Sequence, residues 1–195
     1  MLNHKPRLRN WLHTLHLSDP VSGTNELELS ALARYATGKC MALEIGTSEA
    51  VSTVRIVQAM APAGVLHCVD PWLESGGKAD PCLKIAMRHL RRSKVLSRIK
   101  IHRDFSANVK DAIPAELEFA FIDGDHSRKG IETDWAIVAP RIRPDGIVCL
   151  HDSVTPASEP WRVLDSTRYF AEVIANDPRF EHVEIVHSLV VLRRR

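Results

Sequence analysis

The sequence predicts an α/β domain: a doubly wound, seven-stranded sheet, mostly parallel, with helices on both faces and an antiparallel hairpin at its C-terminal end. Three observations predict it. Short apolar runs alternate with segments that repeat apolar residues at helical spacing. Two of these runs, Leu117–Ile122 and Ile147–Leu150, stop abruptly at ionisable residues, Asp123-Gly124-Asp125-His126 and His151-Asp152. The last two runs, Glu181–Val186 and Leu189–Leu192, have only His187-Ser188 between them and must pair as a hairpin. The crossover of a strand–helix–strand unit makes its strands parallel. Both polar clusters therefore fall at the carboxyl ends of neighbouring strands, the edge where open α/β sheets bind ligands.

The chain of 195 residues suits one domain with a sizeable core. Residues 1–38 read as an N-terminal helical extension packing on that core, and residues 39–195 as the main domain. A net charge of +2 is too mild to imply nucleic acid. The basic clusters around Lys5-Arg7-Arg9, Arg88-Arg91-Arg92-Lys94 and Arg193–Arg195 read as solvated faces and a charged tail. The four cysteines show no CxxC spacing. Cys68 and Cys149 fall inside strands as small hydrophobes, which suits a reducing cytoplasm. No apolar stretch approaches a membrane span, and Lys5–Asn10 interrupts any early signal-like run.

In chain order, residues 5–17 read as a basic amphipathic helix carrying Trp11, Leu12 and Leu15. Asn25, with Glu28 three residues on, is spaced to cap a second helix running to about Ala36, with Gly38 at its end. Ala42–Ile45 is the first strand. It runs into Gly46-Thr47-Ser48-Glu49-Ala50 and a helix to about Met60, a small-residue turn that lets backbone approach a ligand. The second strand, Val65–Val69, ends in Asp70, placed to accept hydrogen bonds from ribose hydroxyls. Pro71–Ala79, with Trp72 and Gly76-Gly77, reads as a mobile flap. Asp80-Pro81 starts a helix to about Lys94. The third strand, Ile99–His102, leads to Asp104 and Phe105, an acceptor and an aromatic face able to hold an adenine, and Ser106 is placed to cap the short helix after them. Ile131, Trp135 and Val138 line one face of the helix after the fourth strand. Arg143–Gly146 reads as a turn, and Pro160–Asn176 as a helix with Val163, Phe170 and Ile174 inward.

With ALEIGTSEA, the acid at Asp70, FIDGDHS and LHDS, residues 40–194 resemble a class I S-adenosylmethionine-dependent methyltransferase, a Rossmann-like fold. Within that class they are similar to a small bacterial branch that carries FIDGDHS and is related to metal-dependent sugar O-methyltransferases. The resemblance implies S-adenosylmethionine bound by Glu44, Gly46, Thr47, Ser48, Asp70, Asp104, Phe105 and Asp123. It implies a divalent cation, magnesium or manganese, held by Asp123 and Asp152, and Asp125 as general base. Two positions depart from the pattern: Ala50 replaces a glycine, and His151 stands where the metal-dependent members usually carry an acid.

Such an enzyme would methylate a hydroxyl of a small molecule, such as a sugar or other secondary metabolite, with no nucleic acid or membrane as partner and with a homodimer as one possible assembly. An in-line methyl transfer needs positioning first. A hydroxyl acceptor also needs a base, and Asp125 is the first candidate and His126 the second. An ion shared by Asp123 and Asp152 would acidify the acceptor, and an imidazole from His151 would shift its preference toward softer metals. Two other readings stay open: a metal-dependent hydrolase, and a non-catalytic module that binds S-adenosylmethionine.

Overall fold

The computed structural model describes residues 19–73 and 80–195, together with Leu12. The N-terminal basic helix and the Gly76-Gly77 segment of the flap lie outside the described residues. Helix α1 (Glu26–Ala36) opens the described chain with the anticipated capping box, in which Asn25 and Glu28 satisfy each other's backbone N–H groups. Then follow β1 (Met41–Ile45), α2 (Val51–Ala59), β2 (Val65–Val69), α3 (Pro81–Arg92), β3 (Ile99–His102), the short α4 (Ser106–Val109) and β4 (Leu117–Ile122). After them come α5 (Arg128–Val138), β5 (Ile142–Leu150), α6 (Asp165–Glu172), β6 (Phe180–Val186) and β7 (Leu189–Arg194).

The seven strands form one sheet in the order β3-β2-β1-β4-β5-β7-β6. β1 to β5 are mutually parallel, and β7 runs antiparallel to both β5 and β6. The order reverses between β1 and β4, which puts the switch point, and with it the ligand crevice, at the ends of those two strands. Side-chain alternation divides the core. Ala42, Phe119, Phe121 and Cys149 face the layer of α1, α2 and α3. Leu43, Ala120, Val148 and Leu150 face the layer that contains Trp135, Tyr169 and Phe170. With both faces covered, the central strands read as continuous apolar runs. Among the described residues no helix is long and apolar enough to cross a membrane.

Four local expectations are corrected. Arg143–Gly146 is a bulge within β5: the register steps from Leu117↔Ile142 to Phe119↔Ile147, and Asp145 takes a left-handed φ of 63°. Turn chemistry there bends a strand instead of ending it. Helix α6 begins at Asp165, and Val163 is exposed, because Arg162 is drawn to Asp152 and the chain turns before it can wind. Trp72 is buried, with its indole N–H on the Ser48 carbonyl at 2.9 Å, so it belongs to the body and not to a flap. Ser106 lies inside α4 and donates to buried Asp134 at 2.5 Å instead of capping the helix.

Phe121 is fully buried and its ring stands edge-on to His151 at 6.4 Å. Phe121→Ala should destabilise the fold by about 3–5 kcal/mol through lost burial and a residual cavity. Chemical denaturation would show it as a lower midpoint with an unchanged slope.

Candidate active site

The first wall of the site is the turn after β1. Gly46 sits at φ 91°, Ser48 at 48° and Ala50 at 66°, three left-handed residues within five. A Cβ on Gly46 would lie 2.0 Å from the Asp123 carbonyl oxygen, so only glycine fits between β1 and β4. Ala50 adopts the conformation that suits the glycine it replaces, at a cost of order 1–3 kcal/mol. Neighbouring strand ends hold the turn: Asp123 N–H donates to the Ile45 carbonyl at 2.8 Å, and Gly46 N–H to that of Val69 at 2.9 Å. Asp70 accepts from the backbone N–H of Ser48 at 2.8 Å and of Trp72 at 2.9 Å. Burial pushes its carboxyl pKa upward.

Glu44 lies behind this wall. It is fully buried, and it accepts from the hydroxyls of Ser52 at 2.6 Å and Thr53 at 2.5 Å. Burial raises its pKa to about 7. Its role here is to fasten the first turn of α2 to β1. The other residues assigned to the cofactor, Gly46, Thr47, Ser48, Asp70, Asp104, Phe105 and Asp123, all line one cavity of about 650 Å³. Phe105 is half exposed on its wall, and Asp104 accepts from Phe105 N–H at 2.7 Å and Asn108 Nδ2 at 2.8 Å.

The second half of the site is ionic. His151 Nδ1 stands 2.8 Å from Asp123 Oδ1, and its Nε2 stands 3.4 Å from Glu28 Oε2. Burial would lower the pKa of His151, yet hydrogen bonds to the two carboxylates overcome it and raise the value to about 10. Burial likewise opposes ionisation of Glu28, but bonds from His151, Asn25 and Ser188 hold it down at about 2. His126 Nε2 lies 3.6 Å from Asp123 Oδ1 and 3.7 Å from Asp152 Oδ2. Arg162 donates to Asp152 Oδ2 at 2.6 Å. Asp152 itself has a φ of 50°, so the chain leaves the strand at once and both His151 and Asp152 point into the cluster. Asp125 is exposed, and its carboxylate accepts from Ser127 N–H at 3.0 Å and Ser127 Oγ at 2.7 Å. Those bonds lower its pKa.

Residues 43–153 match the model of a family described as a methyltransferase domain. The chain belongs to that family. No curated protein sequence matches this methyltransferase. Among solved structures, a protein from Corynebacterium glutamicum superposes with a TM-score of 0.71 at 16% identity, covering 99% of this chain and 93% of that one. An O-methyltransferase from Bacillus cereus in complex with SAH gives 0.70 at 19% identity, covering 98% and 90%. The O-methyltransferase TomG from Streptomyces achromogenes, in complex with SAM, gives 0.67 at 18% identity, covering 96% and 87%. At these identities the likeness is one of fold, and the fold is that of the class I S-adenosylmethionine-dependent methyltransferases. Membership displaces the hydrolase reading.

The methyltransferase's cavity fits a nucleoside cofactor. It offers a glycine cradle at Gly46, a partly buried acid at Asp70 and an exposed ring at Phe105. The metal expectation fits less well. Asp123, His126 and His151 place ligand atoms within 4.8 Å of one another. However, a metal-bound imidazole must offer a lone pair. His151 turns one nitrogen to Asp123 and the other to Glu28, and Asp152 is taken by Arg162. This donor set does not suit a hard divalent ion between two carboxylates.

Sequence reasoning missed Glu28, Arg162 and Asp134. Glu28 was legible only as a capping residue, Arg162 lay in a proline-flanked loop, and Asp134 gave no signal on an otherwise ordinary helix.

The ionic clamp makes stability depend on pH. His151 has its pKa raised from 6.5, so its contribution is full below 6.5 and is lost as pH rises toward about 10. Glu28 contributes above its ordinary 4.5 and loses that contribution as pH falls toward about 2. The denaturation midpoint of the parent protein should therefore fall between pH 6.5 and 10, and His151→Gln should remove most of that slope.

Proposed function

We propose that the chain methylates a hydroxyl oxygen of a small molecule with S-adenosylmethionine as donor. The observation that carries this reading is the single cavity running from Asp70, past the Gly46 cradle, to Asp123, whose carboxylate is shared with the His126–His151 cluster. S-adenosylmethionine, when bound, supplies an electrophilic methyl group on a sulfonium. The residues of the chain do the rest. Asp70 presents carboxylate lone pairs to the ribose hydroxyls, and Phe105 with Asp104 receives the adenine. The Gly46 turn admits the cofactor close to backbone. Holding donor and acceptor in line contributes most of the rate gain.

The acceptor proton goes to His126 in this reading. The His126 side chain is 34% exposed, and its Nε2 lies 3.6 Å from Asp123 and 3.7 Å from Asp152, which sets a base beside two carboxylates. Asp125 is committed to Ser127 and serves as the turn that starts α5. This reverses the order in which the sequence ranks the two residues.

Calorimetric titration with S-adenosylhomocysteine tests the cofactor half. Asp70→Ala should weaken binding by roughly tenfold or more, a loss of about 1.4 kcal/mol. Affinity equal to the parent's would mean that the assigned pocket is wrong.

Transfer of a labelled methyl group to a panel of hydroxyl compounds tests the chemistry. With an active acceptor, His126→Ala should slow turnover by about 10²–10⁴-fold and leave cofactor affinity nearly intact, while Asp125→Asn stays within a few-fold of the parent. The opposite ranking would return the base to Asp125. Cofactor binding without transfer to any acceptor would make the chain a binding module.

A further inference from the structure

Arg162 is the cationic group in the cluster that no motif accounts for. It reaches from the loop between β5 and α6 and donates through Nη2 to Asp152 at 2.6 Å. The Asp152 side chain is 4% exposed, and that of Arg162 is 36% exposed. A buried carboxylate is costly without a partner, and a guanidinium supplies one that keeps its charge at every accessible pH. The neighbouring carboxylate, Asp123, is met in the same way by the ring of His151, whose far nitrogen faces Glu28. Each of the two strand-end acids thus already carries a cationic side chain.

The open side of Arg162 also has a direction. Its partner Asp152 is also 3.7 Å from His126 Nε2, so one carboxylate oxygen meets both the guanidinium and the imidazole. Glu159 touches only the other nitrogen, Nη1, at 3.6 Å. The flanking Trp161 and Val163 are exposed, the tryptophan at 77%, so the loop presents apolar side chains on either side of Arg162 in sequence.

We propose that Arg162, seated on Asp152, takes the place of a divalent cation in this site and is the group that holds the acceptor oxygen. The inference rests on the methyltransferase reading above. It names the acceptor class as a small molecule whose reacting hydroxyl carries or adjoins negative charge, with an apolar face for Trp161. The loop 154–164 then sets specificity while His126 performs the proton transfer.

Manganese alone is the probe. It is titrated into the chain while free ion is followed by electron paramagnetic resonance, and S-adenosylhomocysteine binding is measured calorimetrically in the same samples. The parent protein should show no saturable manganese site below about 1 mM. Arg162→Met, which keeps the apolar stem, should bind manganese at least roughly tenfold more tightly because Asp152 is released. Equal cofactor affinity in the two proteins shows that both are folded. A saturable micromolar site in the parent overturns the proposal, as does a variant that gains no manganese affinity. Failure of both proteins to bind S-adenosylhomocysteine would instead sink the methyltransferase reading, so the two failures are separable.

Discussion

The buried clamp Glu28–His151–Asp123 is the constraint on which the rest of the site depends. Glu28 is 1% exposed and His151 4%, so the charge on each depends on the partners that the clamp supplies. A buried ion pair need not add net stability, but removing one partner leaves an uncompensated charge and costs about 3–5 kcal/mol. The clamp joins four separate pieces of chain. Glu28 belongs to α1, His151 follows β5 and Asp123 follows β4. Ser188, in the hairpin turn, donates both its N–H and its hydroxyl to Glu28 at 3.0 and 2.7 Å. Helix α1 is therefore a structural member of the site, and the terminal hairpin is fastened to it through Ser188.

A second constraint sits at the switch point. Three left-handed residues after β1 would be unstable in isolation. They persist because β2 and β4 bracket them, with N–H groups donating from Gly46 to Val69, from Asp123 to Ile45 and from Ser48 to the Asp70 carboxylate. The same bonds place Asp123 where it serves both halves of the site. One carboxylate lines the cofactor cavity and also meets His151, so the bonds that shape the cofactor wall also fix where the ionic cluster begins.

Much of this architecture was legible in the sequence because it is periodic or punctuated. Alternating apolar runs gave β1 to β4 within a residue, Asn25–Glu28 and Asp80-Pro81 gave two helix starts, and the two-residue gap at His187-Ser188 gave the hairpin. The strand-end residues Gly46, Asp70, Asp123 and His151-Asp152 were legible because abrupt polarity after an apolar run marks a sheet edge. What was not legible depends on contacts made across the fold. Glu28 satisfies a helix cap in sequence and a histidine in space, 123 positions away by its number. The proline-flanked loop shows no period, so the place of Arg162 was hidden, and the spacing of Val163, Phe170 and Ile174 wrongly extended α6 across it. The Arg143–Gly146 string carries turn residues, and only pairing with β4 tells a bulge from a turn.

The site thus divides by mechanical character. The cofactor wall is built from strand ends and backbone hydrogen bonds, which tolerate little change. The side proposed for the acceptor carries His126 and the loop bearing Trp161 and Arg162, where side chains stand partly in solvent. Loops carry substrate variation on a rigid scaffold because changing them leaves the core intact. Arg162 bridges the two regimes: its stem belongs to the variable loop, but its charge is required by the fixed carboxylate of Asp152. A substitution there that suits a new acceptor must also neutralise Asp152, and that coupling narrows the acceptors this chain could exchange for its own.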